Sequence, residues 1–319
     1  MRVAIIDDFQ EAALSSADWS AVHRVAEVNV FPDHLAEPDA LVRRLRPYEI
    51  VVVMRERTPL PRAVLERLDA LRLIVTTGAA NAAIDLDACA QQGITVCGTT
   101  SLPGATVEHS WALILAAARR LDIEVPAVRA GRWMAGRGAE LGITLRGRTL
   151  GVLGLGRVGR EVARVGRAFG MEVIAWSQHL TAERAAEGGA RLVGKEQLFS
   201  SADVLTIHVQ LSERTRGLVG AAELALMKPT AWLVNTSRGP ICDEDALVRA
   251  CVEGGIAGAA LDVFSVEPLP QDSPLRSTPN IIATPHLGYA TRDAYAHWYR
   301  EVVQDILAFV DGAPLRVIA

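Results

Sequence analysis

The chain has 319 residues, half of them hydrophobic, and a formal net charge of −4. This length is enough for one large domain or two ordinary domains with apolar cores. The mild acidity and the few aromatic residues give no reason to expect nucleic acid or an anionic membrane as a partner.

Cysteine usage and apolar runs indicate the compartment. The cysteines form no CxxC pair and lie among aliphatic residues: Cys89, Cys97, Cys242 and Cys251. We therefore expect reduced core thiols, with no disulfide and no metal site. The chain enters a predicted strand at Val3, which leaves no room for a signal peptide. The apolar run 112–118 is too short to cross a bilayer, so the sequence predicts a cytoplasmic protein.

Short β-rich runs alternate with helical patterns up to about residue 100. The predicted strands are 3–6, 25–30, 50–53, 73–75 and 95–96. The segments between them open with Pro or Asp and have the composition of helices. This alternation predicts an open parallel sheet with helices on both faces.

Two turns at the carboxyl ends of these strands carry groups suited to anions. Arg55 and Arg57 follow the third strand, and Gly78 and Ala79 follow the fourth. Ligands of open α/β sheets bind at such ends, where small residues leave backbone N–H groups accessible. Ordinary βα loops with solvated arginines have the same pattern, so both interpretations stay open here.

A break at 101–104 (Ser-Leu-Pro-Gly) precedes a predicted helix over 105–121. Its apolar residues cover nearly the whole circumference, so we expect a buried inter-domain helix. Residues 125–148 are rich in Gly, Arg and Trp and show no period, which predicts a loop arm over a neighbouring surface. Either a partner subunit or a mobile loop would explain it. At the other end of the chain, an amphipathic helix over 292–310 is predicted to pack back on the first domain.

The βα alternation restarts at Thr149. The predicted strands are 149–154, 172–176, 203–207, 231–235, 257–261 and 281–284. The first leads through Gly154-x-Gly156-x-x-Gly159 into a helix, which is the context that a dinucleotide fingerprint requires. Gly154 permits the tight turn, Gly156 lets the backbone approach a diphosphate, and Gly159 lets helix and strand pack closely. The start of the helix then faces the diphosphate.

These patterns predict an α/β fold of two doubly wound parallel-sheet domains. Residues 1–101 plus 291–319 are predicted to form a flavodoxin-like substrate domain. Residues 102–290 are predicted to form a Rossmann domain that binds NAD(P).

Three polar side chains follow strands of the second half at what should be one sheet edge. Arg238 follows the fourth strand, Glu267 the fifth and His286 the sixth. An arginine fork grips a carboxylate, a histidine exchanges a proton with a hydroxyl, and a carboxylate behind the histidine fixes its tautomer. Each residue also has an ordinary alternative: a surface loop arginine, a solvated turn glutamate or a structural histidine.

Several segments resemble the D-isomer-specific 2-hydroxyacid dehydrogenase family essentially from end to end. They are the glycine fingerprint, Val-Arg-Ala-Gly-Arg-Trp at 128–133, Asn-Thr-Ser-Arg-Gly at 235–239, Asp-Val-Phe with Glu-Pro at 262–268, and Thr-Pro-His-x-Gly at 284–288. The resemblance implies an enzyme that transfers a hydride between NAD(P)H and a small 2-keto or 2-hydroxy acid with D specificity. In the cell it should work mainly as a reductase. We also expect a homodimer, through the arm around Trp133 and the apolar helix.

The resemblance also implies roles for individual residues. Arg238 would bind the substrate carboxylate, His286 would be the acid/base, and Glu267 its orienting partner. Arg55 and the N–H groups of Gly78 and Ala79 would face the substrate. Asp262 would meet the nicotinamide carboxamide. The full set implied to contact the cofactor is Gly154, Gly156, Arg157, Val158, Gly159, Ser177, His208, Val209, Thr215, Thr236, Ser237, Asp262 and Gly288.

Two departures from the family pattern matter. After Gly78-Ala79 the family usually has a second glycine and then an aspartate before an Asn/His-Ile/Val-Asp. This chain has Ala80-Asn81-Ala82-Ala83-Ile84-Asp85 instead, which reshapes the substrate pocket. Ser177 stands where NAD enzymes place an acid for the ribose 2′-hydroxyl. We therefore expect both NADH and NADPH to be accepted, with a lean toward NADPH.

Two alternatives belong to other classes. A nucleotide-sensing corepressor would need a peptide-binding surface and long disordered tails, and the sequence to Ala319 suggests neither. Formate dehydrogenases carry Gln where Glu267 stands, which argues against that activity, whereas phosphite-type oxidation stays open. Among the other histidines, His109, His179 and His297 are predicted to be ordinary helix or loop residues, and His208 ends a strand near the cofactor.

Overall fold

The computed structural model describes residues 1–136 and 141–319. The chain divides into two compact units: a first unit of Met1–Pro103 with Ala290–Ala319, and a second unit of Gly104–Tyr289. Each unit is built on a sheet whose strands all pair in parallel. The predicted class, two parallel-sheet α/β domains, is confirmed.

Eleven of the described strands fall close to their predicted positions, and the two-residue strand β8 was not predicted. In chain order they are β1 Arg2–Ile5, β2 Glu27–Val30, β3 Ile50–Val53, β4 Leu73–Thr76, β5 Thr95–Gly98, β6 Thr149–Leu153, β7 Glu172–Trp176, β8 Arg191–Leu192, β9 Val204–Ile207, β10 Trp232–Asn235, β11 Gly258–Leu261 and β12 Ile281–Ala283. The first sheet has the order β2-β1-β3-β4-β5, and the second β12-β11-β10-β9-β6-β7-β8. The strand order of the second sheet reverses between β6 and β9, where open α/β sheets form their ligand crevice.

Helices connect the strands. They are α1 Ser20–His23, α2 Pro38–Leu45, α3 Arg62–Leu65, α4 Leu86–Gln91, α5 Ala105–Ala118, α6 Leu121–Arg129, α7 Arg157–Ala168, α8 Ala182–Glu187, α9 Lys195–Ser201, α10 Ala221–Leu226, α11 Glu244–Val252, α12 Pro274–Ser277 and α13 Arg292–Val310. None of the described helices combines the length and apolar character that crossing a bilayer requires.

Helix α13 packs within the first unit, as predicted from its amphipathic pattern. Thr291 caps its start by accepting a hydrogen bond from the Ala294 N–H group. The apolar face is buried, and the Tyr299 ring lies 6.2 Å from that of Trp19 beside α1. Helix α13 thus packs on the first sheet, whose strands all lie before residue 100.

Two predictions in the middle of the chain are partly wrong. Helix α5 buries Trp111, Leu113 and Ile114, but Glu108 and Ala112 are exposed. One side of the helix therefore faces solvent. The first residues of the predicted loop arm, 125–129, belong to helix α6. Pro126 lies inside this helix and interrupts the helical pattern of the sequence. Trp133 of the arm is 88% exposed, and residues 137–140 of the arm lie outside the described part of the chain.

Candidate active site

The glycine loop joins β6 to α7. Gly154 has a φ of +96°, and a Cβ there would lie 2.7 Å from Val209 Cγ1. A Cβ on Gly159 would collide with the Gly154 carbonyl. By contrast, Gly156 is the N-cap of the 12-residue α7, and a Cβ there would project into open space. The first N–H groups of a helix have no intrahelical partner, so this opening fits the diphosphate of a dinucleotide.

Ser177 follows β7, the neighbour of β6 in the second sheet. Its carbonyl accepts a hydrogen bond from the Leu180 N–H group in the following turn. In this turn His179 accepts a hydrogen bond from Arg214 at 3.3 Å, and both side chains are exposed. Sequence reasoning missed Arg214, because 35 residues separate it from His179. The two polar side chains that meet at this turn therefore come from different loops.

The loop after β9 contains three residues implied to contact the cofactor. His208 Nε2 lies 2.9 Å from Thr206 Oγ1, and the Val209 carbonyl accepts a hydrogen bond from Ser237 Oγ at 2.5 Å. Thr215 Oγ1 donates to the Gln210 carbonyl and closes the loop. These bonds fix the loop beside Gly154, at the point where the strand order reverses.

Burial lowers the pKa of His208 to about 4, which predicts acid sensitivity of the fold. The unfolded imidazole binds a proton below about pH 6.5, whereas the folded one does not until about pH 4. This contribution to stability is therefore complete above pH 6.5 and is lost as the pH falls toward 4. The difference between the folded and unfolded pKa values corresponds to about 3 kcal/mol. Because His208 keeps some solvent exposure, this figure is an upper limit.

The measurement is the urea unfolding free energy of the ligand-free protein between pH 7.5 and 4.5. His208→Gln should lose less stability over this range than the unsubstituted protein. His23→Gln changes an exposed histidine and should follow the unsubstituted protein. Parallel curves for all three proteins would contradict the assignment.

A short hydrogen bond joins the predicted acid/base, His286, to its predicted orienting partner, Glu267. His286 Nδ1 lies 2.6 Å from Glu267 Oε2, while the other oxygen of Glu267 accepts the Phe264 N–H group at 2.9 Å. Because a carboxylate only accepts hydrogen bonds, Nδ1 carries the proton. His286 Nε2 is then the nitrogen that exchanges a proton with a substrate.

His286 lies in a tight turn with a φ of +55°. Its N–H group donates to the Thr284 carbonyl at 2.9 Å. The buried carboxylate of Asp262 accepts hydrogen bonds from Thr284 Oγ1 at 2.5 Å and from the Leu287 and Gly288 N–H groups at 2.7 Å each. One carboxylate thus holds the residues on both sides of His286.

Asp262 also accepts a hydrogen bond from a residue outside this turn. His109 Nε2, on α5, lies 3.0 Å from Asp262 Oδ1 and 3.1 Å from Thr284 Oγ1. Burial alone would raise the pKa of Asp262, but the hydrogen bonds from His109 and Thr284 outweigh it and hold that pKa below its ordinary value. The carboxylate is therefore ionised. Sequence reasoning treated His109 as an ordinary helix residue.

Arg238 extends from the loop after β10. Asn235 shapes this loop by donating to the Arg238 carbonyl and accepting the Ser237 N–H group, both at 3.0 Å. Thr236 Oγ1 lies 2.7 Å from Ser110 Oγ on α5. Strands β10, β11 and β12 are parallel neighbours, so Arg238, Glu267 and His286 all follow the same edge of the second sheet.

Contacts within the first unit hold the backbone of Arg55. Arg55 has a φ of +53°. Its N–H group donates to Thr77 Oγ1 at 3.0 Å, and its carbonyl accepts Asn81 Nδ2 at 2.6 Å. A Cβ on Gly78 would collide with the Arg55 guanidinium. Asn81, one of the departures from the family pattern, therefore ties the two predicted anion loops together.

One predicted substrate contact needs correction. The Gly78 N–H group donates to Thr99 Oγ1 at 2.6 Å, so it is not the accessible donor that the sequence suggested. The reason is the hydroxyl of Thr99, which follows the neighbouring strand β5. Of the predicted pair, Ala79 is exposed.

Comparisons with known proteins agree with this arrangement. A family model described as D-isomer specific 2-hydroxyacid dehydrogenase, NAD binding domain, matches residues 111–288. The chain is 41% identical over 281 residues to a glyoxylate reductase of Aeropyrum pernix, covering 83% of this chain and 84% of the relative.

Two further relatives extend the match. A D-3-phosphoglycerate dehydrogenase of Archaeoglobus fulgidus is 39% identical over 282 residues, covering 87% of this chain. Since only 52% of that relative is covered, this chain spans about half its length. A phosphoglycerate oxidoreductase structure from Vibrio cholerae superposes with a TM-score of 0.92 at 36% identity, covering 98% of this chain and 100% of the other.

Proposed function

This chain belongs to the D-isomer specific 2-hydroxyacid dehydrogenase family, whose members are oxidoreductases acting on CH–OH groups, and we propose that it reduces a small 2-keto acid to the D-2-hydroxy acid. The observation that carries the proposal is the 2.6 Å bond between Glu267 and His286. This pair lies at the same sheet edge as the glycine loop and Arg238, which brings together an acid/base, a carboxylate-binding cation and a dinucleotide fingerprint.

The chemistry divides between the cofactor and the protein. A bound NAD(P)H supplies the hydride. In the reductive direction, His286 donates a proton from Nε2 to the substrate oxygen, and in the oxidative direction it takes that proton back. Glu267 keeps Nδ1 protonated and stabilises the imidazolium that forms. Arg238 binds the substrate carboxylate through two parallel hydrogen bonds, with Arg55 and the Ala79 N–H group as further predicted contacts.

The cofactor would be held by loops at the carboxyl edge of the second sheet. The glycine loop, with Arg157 and Val158 in the first turn of α7, would bind the diphosphate. Ser177, His208, Val209 and Thr215 would line the adenosine half. The loops with Thr236, Ser237, Asp262 and Gly288 would hold the nicotinamide half. In this proposal residues 102–290 form the cofactor domain, and residues 1–101 with 291–319 the substrate domain.

A substrate panel tests the proposal. Purified protein is assayed with NADH and with NADPH against glyoxylate, hydroxypyruvate, pyruvate and longer 2-keto acids, and in reverse against formate and phosphite. Turnover of at least one 2-keto acid, with a D-configured product, is the expected result. Oxidation of phosphite alone would favour the alternative activity. Tight dinucleotide binding without turnover of any compound would favour a corepressor-like sensor.

Assembly and compartment form part of the proposal. Residues on α6 and the arm present an exposed apolar surface: Leu121, Val125, Val128, Trp133 and Met134. Burying this surface between two copies would remove it from water, which supports a homodimer, and sedimentation of the purified protein tests this. All four cysteines are buried free thiols, which supports a reducing, cytoplasmic environment.

Cofactor preference should depend on Ser177. An aspartate at this position would accept hydrogen bonds from the NAD ribose and repel a 2′-phosphate, whereas Ser177 can bind either group, with His179 and Arg214 nearby. The unsubstituted protein should therefore use both cofactors, with a modest preference for NADPH. Ser177→Asp should shift the preference toward NADH by about 5- to 150-fold, the equivalent of roughly 1–3 kcal/mol.

The measurement is kcat/KM for both reduced cofactors at fixed salt, because salt screens phosphate recognition. Ser200→Asp introduces the same charge at an exposed position on α9 and should leave the ratio unchanged. A preference of the unsubstituted protein for NADH above about a thousandfold, roughly 4 kcal/mol, would show that another residue decides.

A further inference from the structure

We propose that His109 is a positioning residue for His286 and acts through the carboxylate of Asp262. This inference rests on the proposed function, since it concerns how the acid/base side chain of that reaction is held. His109 lies in the first half of α5, and His286 follows β12. Asp262, which follows β11, connects them.

The turn that contains His286 needs stabilisation by the groups around it. A non-glycine residue with a φ of +55° occupies a sparsely populated region of the backbone map, and such a conformation persists where the surroundings determine it. Asp262 provides this stabilisation, because its carboxylate accepts three hydrogen bonds from the turn. The donors are the Thr284 hydroxyl and the Leu287 and Gly288 N–H groups.

His109 anchors that carboxylate to a helix. The Thr284 hydroxyl donates its proton to Asp262 and so presents lone pairs to the His109 N–H group. That N–H group lies 3.0 Å from Asp262 Oδ1 and 3.1 Å from Thr284 Oγ1, and is shared between them. Among the described donors to Asp262, His109 is the one outside the turn. Without it, the backbones of Asp262 and Thr284 would stay bonded to the Asn235 and Leu261 carbonyls, but the Asp262 carboxylate and the rest of the turn would lose their tie to α5.

The next residue of α5 supports the second loop of the site. Ser110 is fully buried, and its Oγ lies 2.7 Å from both the Thr106 carbonyl and Thr236 Oγ1. Thr236 is two residues before Arg238. Consecutive residues of one helix therefore contact the loops of the proposed acid/base and of the proposed carboxylate-binding residue, so α5 fixes the two loops against each other.

Loss of this anchor should affect turnover more than binding. A misplacement of about 1 Å at a reacting group can cost about 100-fold in rate, while the glycine loop that binds the diphosphate is independent of His109. We expect His109→Leu to lower kcat by about 10- to 100-fold. KM for the keto acid and Kd for the reduced cofactor should stay within about threefold of the unsubstituted values.

Four variants, His109→Leu among them, and one structural readout test the inference. His109→Gln retains an N–H donor at similar reach and should recover most of kcat. His23→Leu makes the same substitution at an exposed helical histidine and should change nothing. In the ligand-free protein, hydrogen exchange of the peptide that spans 284–289 should be faster in His109→Leu than in His23→Leu. If His109→Leu fails to fold, Thr284→Val removes the bridging hydroxyl and should show the same signature.

The outcomes separate the possible roles. A lower melting temperature with kcat and exchange unchanged would make His109 merely structural and overturn the inference. Weaker cofactor binding with kcat unchanged would also overturn it, because His109 would then act on the nicotinamide side of Asp262. If the unsubstituted protein turns over no 2-keto acid, the proposed function fails, and unchanged exchange in His109→Leu would independently refute the positioning role.

Discussion

Replacing His286 with alanine should lower kcat by about 10²- to 10⁴-fold, the usual loss when a general acid/base is removed. The reason is that Nε2 of His286 exchanges the proton with the substrate, while Nδ1 is held by Glu267 at 2.6 Å. Affinity for NADH should be unchanged, since the diphosphate is bound on the glycine loop. Steady-state kinetics and titration of cofactor fluorescence measure the two quantities.

A matched control separates this role from a general loss of histidine. His23→Ala removes an exposed histidine from α1 and should leave both quantities unchanged. A primary deuterium isotope effect on the hydride must be present in the unsubstituted protein, so that chemistry limits the rate. Turnover of His286→Ala within about threefold of the unsubstituted protein, under that condition, would be incompatible with the assignment.

The strands were predictable because parallel sheets bury both faces. The runs Ile50–Val53 and Leu73–Thr76 are fully buried along their length, and apart from Thr76 they consist of branched aliphatic residues. Strand β8 has two residues, too few to show a period. Helix α6 escaped prediction because Pro126 lies inside it, and proline ordinarily ends a helical pattern.

The site was predictable only as far as the backbone determines it. In a parallel sheet, residues after consecutive strands meet at one edge, so the proximity of Glu267 and His286 followed from their places in the chain. The contact between His109 and Thr284 spans 175 residues and depends on how α5 packs on the sheet, which no local pattern encodes. The bond from Gly78 to Thr99 likewise depends on strand pairing rather than on the loop's own residues.

Arg238→Lys should reduce kcat/KM for the keto acid by about 100-fold at unchanged cofactor affinity. A guanidinium makes two parallel hydrogen bonds to a carboxylate, whereas a lysine ammonium keeps the charge but not this geometry. One hydrogen bond to a charged group contributes about 1.5–3 kcal/mol, and 2.7 kcal/mol corresponds to roughly 100-fold in rate. The Arg238 backbone is fixed through its carbonyl by Asn235, so the substitution should change the side chain and leave the loop in place.

The control is Arg249→Lys, at an exposed position on α11 in the same unit, which should leave all constants unchanged. The loss in Arg238→Lys should depend on the substrate carboxylate, so an amide analogue of the keto acid should be used equally poorly by both proteins. If kcat/KM for the acid stays near normal, the carboxylate must bind another cation, and Arg55 is the predicted one. Arg55→Lys would then show the 100-fold loss expected here of Arg238→Lys.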